Sequence, residues 1–411
     1  MTTTRQDKHE TMPGPNRPRM AELDGLRAIA ILLVLAFHSW FFLQFAMETK
    51  AAFLAYSDSL PWLMGFIRRG DIGVDIFFVL SGYLLSWQLF RERQKTGRIN
   101  FKKFYLHRVF RIYPLYVFAL ALVTLGAGFS WGLLGNLLAY NIWSNPYEII
   151  IPWSWSLSVE LEFYAIVPLL VLLVRNGRSA ALLALGFCAL AVGWSLWTLT
   201  SYPQLAENSL IDLEIADRRA DLILYYRNLY VAMPVRISQF GLGLAAAWVV
   251  VHKSDFFKSL GRAHVGLLVA GVIATAAVPL LYNPHGHLAD EQKAAQFFEL
   301  LFGRVSFAFA TALLISMLHL NLLPRLKVTL ASKVLEPIAR FSFSMYLFHP
   351  LFVYVGIATF VGKDKVTSVS SAQYLGVFAV TLIGSVALGF ISWHALENRA
   401  IRLGRKLTQD K

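Results

Sequence analysis

The chain has a single cysteine and few charged residues for its length of 411 residues. Cys188 lies alone within an apolar run, so an internal disulfide and a thiolate metal site are both excluded. Charged residues make up 15% of the sequence, against about 25% in soluble domains. The hydrophobic fraction is 56%, which is the balance of an integral membrane protein and argues against a soluble domain.

Apolar windows long enough to cross a membrane recur along the whole chain. Each holds almost no charge over about 20 residues, the length at which an α-helix crosses a hydrocarbon core of about 30 Å. The windows are 25–47, 72–90, 111–130, 153–174, 179–199, 232–252, 263–283, 302–320, 338–361 and 373–396. The sequence therefore predicts an all-α, polytopic transmembrane helical bundle of about ten spans.

The apolar stretch 131–152 is a further candidate. Counting it as a full span would place the basic segment 175–178 outside, against the charge distribution of the other loops. We interpret 131–152 as a re-entrant or interfacial segment.

Basic residues concentrate in alternate loops. If the N-terminus is inside, the inward segments hold about two thirds of the Lys and Arg residues, whereas the outward segments are mixed or acidic. Both termini are then cytoplasmic. The formal charge of +13 is explained by this placement, and a nucleic-acid partner is not expected. The charged, Pro-rich beginning of the chain does not resemble a cleaved signal peptide.

A single membrane domain accounts for nearly the whole chain. We predict a disordered cytoplasmic N-terminal tail over 1–22, an integral membrane domain over 23–398 and a basic cytoplasmic tail over 399–411. Neither a repeat nor a second soluble domain is evident.

The first predicted span carries two polar residues on one face. Arg27 and His38 are eleven residues apart, which is three helical turns plus roughly 20° and about 16 Å of rise. Ionisable residues within a span are costly unless they face a bundle interior or a water-filled cavity. The alternatives are a histidine bonded to a neighbouring helix and an arginine that anchors the span at the interface. Together they indicate a channel with an anion-binding mouth and a base at its end.

Glu160 lies at nearly the predicted depth of His38. A carboxylate beside a histidine can fix its tautomer and stabilise the imidazolium form, as a general base requires. The alternative is a glutamate paired with an arginine for helix packing. In the second span, Ser81 and Gly82 are expected to allow close helix packing, and Tyr83 could reach the cavity.

A basic stretch precedes the third span and ends in a pair of arginines. Arg108 and Arg111 are three residues apart and therefore neighbours on one helix face. Two guanidiniums there could clamp phosphate groups by bidentate bonds. Ordinary positive-inside charge or contact with anionic lipid is the alternative reading.

Two late residues are further candidates for the cavity, namely Tyr346 and His349 in the stretch "FSMYLFHPLF". Trp155 lies near the predicted outer edge, where tryptophans more often anchor a span than bind substrate.

Five stretches, in order along the chain, resemble the acyltransferase-3 family of integral membrane acyltransferases. They are "ELDGLRAIAILLVLAFHSW", "GVDIFFVLSGYLLS", "RVFRIYPLY", "WSLSVELEFY" and "FSMYLFHPLF". The resemblance covers about residues 22–400, and five motifs in the family's order are specific where one would be weak.

The resemblance implies an O-acyltransferase that takes an acyl group, usually acetyl, from cytoplasmic acyl-CoA. The acceptor would be a hydroxyl of a bacterial surface glycan or lipid-linked glycan, or in some members a macrolide or other small hydroxylated molecule. The site would lie in the inner membrane and need no metal. Some members carry an additional extracytoplasmic domain that completes the transfer to the acceptor. We do not expect such a domain in this chain, so it either acts alone or works with a separate partner.

The family's motifs fall on named residues of this sequence. Arg27 and His38 match its arginine-histidine motif, Arg108 and Arg111 match its paired arginines, and Trp155, Ser156 and Glu160 match its tryptophan-serine motif. The resemblance and the residues together predict that Arg27, Arg108 and Arg111 bind acyl-CoA. They also predict that His38, oriented by Glu160, either deprotonates the acceptor or accepts the acyl group. Tyr83, Tyr346 and His349 would bind the oxyanion or the acceptor.

Two other function classes would use the same residues differently. In a proton-coupled transporter or lipid-linked glycan flippase, His38 and Glu160 would relay protons and the arginines would recognise an anionic substrate. Neither inverted repeats nor paired broken helices are evident. A scaffold of a glycan-assembly complex would leave the intramembrane charges unexplained.

Overall fold

The structure is a computed structural model that describes residues 20–60, 62–128, 132–143, 148–280, 286 and 288–408. Most of the predicted tail 1–22 and the last residues of the predicted tail 399–411 lie outside the described residues. The α-helices are α1 (Ala21–Phe41), α2 (Lys50–Ser59), α3 (Ile72–Thr96), α4 (Phe101–Ala127), α5 (Gly132–Leu137), α6 (Trp155–Leu173), α7 (Gly177–Ser201), α8 (Gln204–Glu207), α9 (Leu210–Ile215), α10 (Arg219–Tyr225), α11 (Met233–His252), α12 (Ser254–Lys258), α13 (Arg262–Ala277), α14 (Lys293–Phe298), α15 (Arg304–His319), α16 (Pro324–Leu330), α17 (Leu335–Phe360), α18 (Ser371–Ser392) and α19 (Asn398–Lys406).

Tighter or wider helical turns extend several of these helices. The 3₁₀ segments are Phe42–Phe45, Trp62–Arg69, Asn141–Trp143, Pro152–Ser154, Val278–Leu280 and Asp290–Gln292. The π-helical turns are Tyr226–Tyr230, Glu299–Gly303 and Trp393–Glu397. The prediction of an all-α fold is confirmed, with one isolated bridge between Met47 and Val366 among the described residues.

Nine helical segments of the described chain are long and apolar enough to cross a membrane. They are Ala21–Phe45, Ile72–Thr96, Phe101–Leu125, Pro152–Leu173, Gly177–Ser201, Arg219–His252, Asp290–His319, Leu335–Phe360 and Ser371–Lys406. The remaining predicted span, 263–283, is represented by α13, which has 16 residues. At 1.5 Å of rise per residue, α13 alone is about 24 Å long, shorter than a typical hydrocarbon core. The protein is a multi-pass helical bundle, as the sequence predicted.

The stretch 131–152 has the irregular form expected of a segment that does not span. Its described part holds the short helix α5 and the turn Asn141–Trp143, and no helix there is long enough to cross the bilayer. Helix α5 contacts α4, since Tyr116 donates a hydrogen bond to the Asn136 carbonyl at 3.3 Å.

Small residues allow the central helices to approach closely. A β-carbon placed on Gly82 of α3 would lie 2.4 Å from the Phe240 carbonyl oxygen of α11, and one on Gly243 of α11 would lie 2.4 Å from the Val79 carbonyl oxygen of α3. Because both positions lack a side chain, the two helices pack backbone against backbone. The predicted packing role of Gly82 is confirmed.

The first and last described helices lie at the same end of the bundle. Lys327 of α16 lies 3.4 Å from Glu22 at the start of α1, and Gly404 of α19 packs on Phe110 of α4. Arg27 of α1 and Arg111 of α4 line one cavity, which places these two contacts at the same end. The C-terminal basic segment is therefore a packed helix as far as Lys406. We call this the terminal end of the bundle. It contains the mouth of the cavity described next.

Candidate active site

A cavity of about 160 Å³ lies between α1, α3, α4, α6 and α17. It begins at Arg27, near the terminal end, and reaches Ser156 and Tyr346 deeper in the bundle. Its lining residues are Arg27, Val74, Phe77, Phe78, Leu80, Ser81, Leu84, Leu85, Arg108, Arg111, Ile112, Ser156, Leu157, Glu160, Tyr164, Ser342, Phe343 and Tyr346. Six of the residues predicted from the sequence share this cavity, namely Arg27, Arg108, Arg111, Ser156, Glu160 and Tyr346.

Three arginines from two helices converge on the cavity. Arg27 of α1 forms an ion pair with Asp24, one turn earlier, at 3.3 Å. The Arg108 guanidinium lies 6.0 Å from the centre of the Tyr164 ring, and Arg111 is on the same face of α4. Within the described residues neither Arg108 nor Arg111 forms an ion pair. Cationic groups without counterions in a partly buried cavity favour an anionic ligand.

Glu160 supplies the one carboxylate among the lining residues. It accepts hydrogen bonds from the Ser81 hydroxyl at 2.5 Å and from the Tyr164 hydroxyl at 2.6 Å. Tyr164 is one turn further along α6 and also lies beneath Arg108, so it connects the carboxylate to the arginine. With three arginines and one glutamate, the formal charge of the lining is 3 − 1 = +2.

The deep end of the cavity is closed by a hydrogen-bonded pair. The Tyr346 hydroxyl donates to the Trp153 carbonyl, so the Ser156 hydroxyl donates to Tyr346, at 2.6 Å. Tyr346 also accepts, through its backbone carbonyl, a hydrogen bond of 2.8 Å from His349 Nδ1. Tyr346 therefore contacts both the cavity and the histidine region beyond it.

His38 does not line the cavity. Its ring lies beside His349, with the two centroids 4.7 Å apart, and its Nδ1 donates to the Val34 carbonyl at 3.0 Å. Arg27 and His38 do share helix α1, as predicted.

The predicted contact between Glu160 and His38 is wrong. Depth along a helix was estimated from its rise alone, which does not fix the direction of a side chain. Glu160 points toward Ser81 and Tyr164, whereas His38 faces helix α17. Neither histidine has a hydrogen bond to a carboxylate within the described part of the chain.

Two other predicted residues also lie away from the cavity. Tyr83 is buried, and its hydroxyl lies 2.8 Å from His319 Nδ1. Trp155 is buried beneath the guanidinium of Arg236, which lies 4.8 Å from its ring centre, and it is not an exposed anchor at a membrane interface. Tyr83 of α3 therefore packs against α15, and Trp155 at the start of α6 packs against α11.

A buried charge network in the same region was missed by sequence analysis. Asp75 of α3 is 1% exposed and accepts hydrogen bonds from Arg236 at 2.7 Å, Arg304 at 2.7 Å and Gln239 at 2.8 Å. Apolar windows with an arginine near one end were interpreted as spans, and the partners of these arginines could not be identified from sequence. The carboxylate joins α3 to α11 and α15.

The network continues into the connecting segments. Arg69 pairs with Glu299 at 2.9 Å, and Asp71 lies 3.5 Å from Arg69 and 3.4 Å from Arg304. Burial by itself would lower the pKa of the Arg69 guanidinium, but the carboxylates of Glu299 and Asp71 outweigh it and raise that pKa. This side of the bundle is held together by opposite charges at close range.

Two cavity residues were also missed as functional candidates. Ser81 was assigned to helix packing, but its hydroxyl binds Glu160. Tyr164 follows Glu160 by four residues, a spacing that places both on one helix face and could have indicated it. Among the described residues, no group of three or more His, Cys, Asp and Glu side chains could hold a metal ion.

Comparison with known proteins supports an acyltransferase. Residues 20–390 match a family model described as an acyltransferase domain. The chain is 28% identical over 411 residues to the acyltransferase MdmB of Streptomyces mycarofaciens, covering 95% of this chain and 94% of that protein. It is also 30% identical over 203 residues to the peptidoglycan O-acetyltransferase OatA of Listeria monocytogenes, covering 44% of this chain and 29% of that protein. No solved structure matches the chain.

The family model covers nearly all of the membrane domain, including every residue that lines the cavity. The resemblance inferred from the five sequence motifs is confirmed. This multi-pass membrane acyltransferase belongs to the acyltransferase-3 family.

Proposed function

We propose that this acyltransferase moves an acyl group, most simply acetyl, from acyl-CoA to a hydroxyl of a carbohydrate. The donor enters at the terminal end of the bundle, which we assign to the cytoplasmic face of a bacterial inner membrane. The basic loops support this orientation through the positive-inside rule. The acceptor would be a unit of a surface polysaccharide, lipopolysaccharide or exopolysaccharide.

The observation that carries the proposal is the convergence of Arg27, Arg108 and Arg111 on one cavity. The phosphates of acyl-CoA are anions, and planar guanidiniums bind phosphate oxygens in a bidentate way. The cavity volume of about 160 Å³ is smaller than the usual 300–1,000 Å³ of drug-sized ligand sites, so it holds one part of the donor. The cationic lining favours the phosphate end of the pantetheine arm.

The path from the arginines to His38 has a suitable length. The two ends of the arginine-histidine motif are separated by about 16 Å of helix rise, which is on the order of an extended pantetheine arm. Ser156 and Tyr346 lie at the deep end of the cavity, between the arginines and His38. Donor binding must therefore displace or pass this pair.

His38 is the group proposed to react. Its Nε2 either takes the proton of the acceptor hydroxyl or takes the acyl group first, while the thiolate of CoA leaves. Because Glu160 bonds Ser81 and Tyr164, we assign it to positioning the donor site through Tyr164 and Arg108. Tyr83 and Trp155 support the surrounding helices.

A carbohydrate acceptor is supported by one relative. OatA of Listeria monocytogenes is named a peptidoglycan O-acetyltransferase, and this chain resembles part of it. The acceptor here would reach His38 from the outer side of the membrane, either on a lipid-linked glycan or with the help of a separate extracytoplasmic protein. The transporter or flippase reading has no comparable support.

The first test is release of free thiol from acetyl-CoA by the purified protein in lipid nanodiscs. We expect turnover by the wild type, loss of turnover in His38→Ala and a raised KM with little change in kcat in Arg108→Ala. Arg98 is exposed and outside the cavity, so Arg98→Ala is the charge-matched control and should behave as the wild type.

Transfer is then followed with radiolabelled acetyl-CoA and a panel of oligosaccharides. Each variant is checked for folding by thermal melting. If folded wild-type protein neither binds nor cleaves acetyl-CoA, the proposed donor is wrong. Full activity in His38→Ala would exclude the proposed role of that histidine.

A further inference from the structure

Two histidines from distant parts of the chain lie side by side. His38 of α1 and His349 of α17 have ring centroids 4.7 Å apart and ring planes inclined at 49°. Aromatic rings surround them, with Trp153 6.0 Å from His349 and Phe37 5.2 Å from His38. His349 is fully buried, whereas His38 is partly exposed. The sequence predicts that His349 binds the oxyanion or the acceptor, and the proposed function assigns it no proton transfer.

The hydrogen bonds of both rings fix the same tautomer. His38 Nδ1 lies 3.0 Å from the Val34 carbonyl, and His349 Nδ1 lies 2.8 Å from the Tyr346 carbonyl. A carbonyl oxygen can only accept a hydrogen bond, so Nδ1 carries the hydrogen in each ring. In a neutral imidazole the other nitrogen, Nε2, then has a free lone pair. The pair therefore presents two basic nitrogen atoms.

His349 Nε2 is buried and has no hydrogen-bond partner in the described structure. Such an atom is a bare acceptor, and it is suited to a ligand that donates an O–H or N–H. Buried polar atoms are normally satisfied, so this lone pair beside His38 is available to a ligand that donates a hydrogen bond. For an O-acyltransferase, the substrate that carries an O–H is the acceptor.

We propose that His349 is the base for the acceptor hydroxyl and that His38 carries the acyl group. This rests on the proposed function. The division follows from accessibility, because an acyl group needs space beside the ring that receives it, whereas a proton does not. His38 is the more exposed of the two rings, and the fully buried His349 needs to receive only a proton.

The proposed acyl transfer takes place in two steps. In the first, His38 Nε2 attacks the thioester carbonyl, the C–N bond forms, the C–S bond breaks and the CoA thiolate leaves. In the second, the acceptor oxygen attacks the acyl carbon, its proton passes to His349 Nε2 and the C–N bond to His38 breaks. The proton on His349 is then released to the CoA thiolate or to solvent. The products are the acylated hydroxyl and CoA thiol.

Substitutions of His349 can test the roles of its Nδ1 and Nε2 atoms separately. The side-chain amide of His349→Asn can still donate to the Tyr346 carbonyl but lacks an acceptor at the Nε2 position. His349→Gln instead places an amide oxygen near that position. His394 is the matched control, because its Nδ1 makes the same kind of bond to the Phe390 carbonyl, at 2.8 Å, on an exposed ring.

The experiment is rapid-mixing thiol release from acetyl-CoA, with water and N-acetylglucosamine oligosaccharides as acceptors, in nanodiscs. We expect steady turnover by the wild type and by His394→Asn. His349→Asn should give a burst of about one thiol per protein and retain the acetyl label on His38, while kcat falls on the order of 10²-fold, at the lower end of general-base effects. His349→Gln should be as slow as His349→Asn, because an amide oxygen can accept a hydrogen bond but cannot take up the proton. The KM for acetyl-CoA should stay unchanged in both variants.

Three results would overturn the assignment. They are wild-type turnover by His349→Asn, loss of turnover without a burst in folded protein, and recovery of wild-type kcat in His349→Gln, which would show that a hydrogen-bond acceptor suffices and no base is needed. If the folded wild type releases no thiol, the proposed acyl-CoA donor is wrong as well. If the wild type is active and one of the three results is seen, only the assignment of His349 and His38 is wrong.

Discussion

Asp75 is the residue whose loss should destabilise the bundle most clearly. Its carboxylate is 1% exposed and bonds Arg236, Arg304 and Gln239 at 2.7, 2.7 and 2.8 Å. In Asp75→Asn the shape is kept but the negative charge is lost, leaving two arginines without this counterion. Removing one partner of a buried ion pair costs about 3–5 kcal/mol.

The assay is thermal melting of the protein in one detergent at one concentration. With an unfolding entropy of about 2.1 cal/mol/K per residue, a chain of 411 residues shifts by roughly 1.2 °C per kcal/mol, and the expected decrease in melting temperature is about 3–6 °C. Asp58→Asn makes the same chemical change at an exposed pair, since Asp58 has 62% of its side chain exposed and lies 3.7 Å from Arg68. An exposed pair contributes about 0–1 kcal/mol, so this control should melt within about 1 °C of the wild type.

Comparing the melting temperatures of Asp75→Asn and Asp58→Asn tests whether the buried charge network stabilises the bundle. If Asp75→Asn melts at the temperature of Asp58→Asn, the arginines are stabilised by other groups, and the network does not hold α3, α11 and α15 together. Replacement of Asp75 by leucine should be more damaging than asparagine, because an apolar side chain also removes the hydrogen-bond acceptors.

Three further predictions concern the packing of α3 and the donor cavity. Gly82→Ala should lower the melting temperature, because its β-carbon would lie 2.4 Å from a carbonyl oxygen of α11 and overpacking costs about 1–3 kcal/mol. Gly186→Ala, where a β-carbon meets nothing within 4 Å, is the control, and equal melting would contradict the close packing. Glu160→Gln should change the KM for acetyl-CoA and leave kcat within about twofold, a change of well under 1.4 kcal/mol in the barrier. A large loss of kcat at constant KM would instead restore a direct role for this carboxylate. Arg108→Gln should raise the KM for acetyl-CoA about 10–100-fold, from the loss of a charge-assisted bond of about 1.5–3 kcal/mol. It should not change the KM for S-acetylpantetheine, which lacks the phosphates, and Arg98→Gln should alter neither value.

Much of the fold could be predicted because membrane insertion depends on local properties. Length and apolarity identify a span without knowledge of its neighbours, and nine of the ten windows correspond to helices long enough to cross the bilayer in the described residues. The tenth window corresponds to α13, whose 16 residues are fewer than the roughly 20 needed to cross the hydrocarbon core. The C-terminal segment was taken as a tail, yet α19 packs on α4, a contact between residues about 300 positions apart that periodicity does not reveal.

The candidate site was predicted in part. Arg108 and Arg111 share a face because residues three apart are neighbours on any α-helix, and helix packing turns that face toward the cavity. Tyr346 was predicted from its position within an apolar span and Ser156 from a family motif, and both line the cavity. The orientation of Glu160 toward Ser81 depends on the rotation of α6 relative to α3, which is set by packing.

The sequence by itself determined the helical class, the position of the spans and the faces that carry the arginines, since each depends on residues within a few turns of one another. The tertiary structure alone decided which of those faces meet. It placed His38 beside His349 and apart from Glu160, and it brought Asp75 to Arg236 and Arg304 across 161 and 229 residues of chain. Such pairings arise when helices pack so that buried charges find partners, and no local pattern specifies the partner.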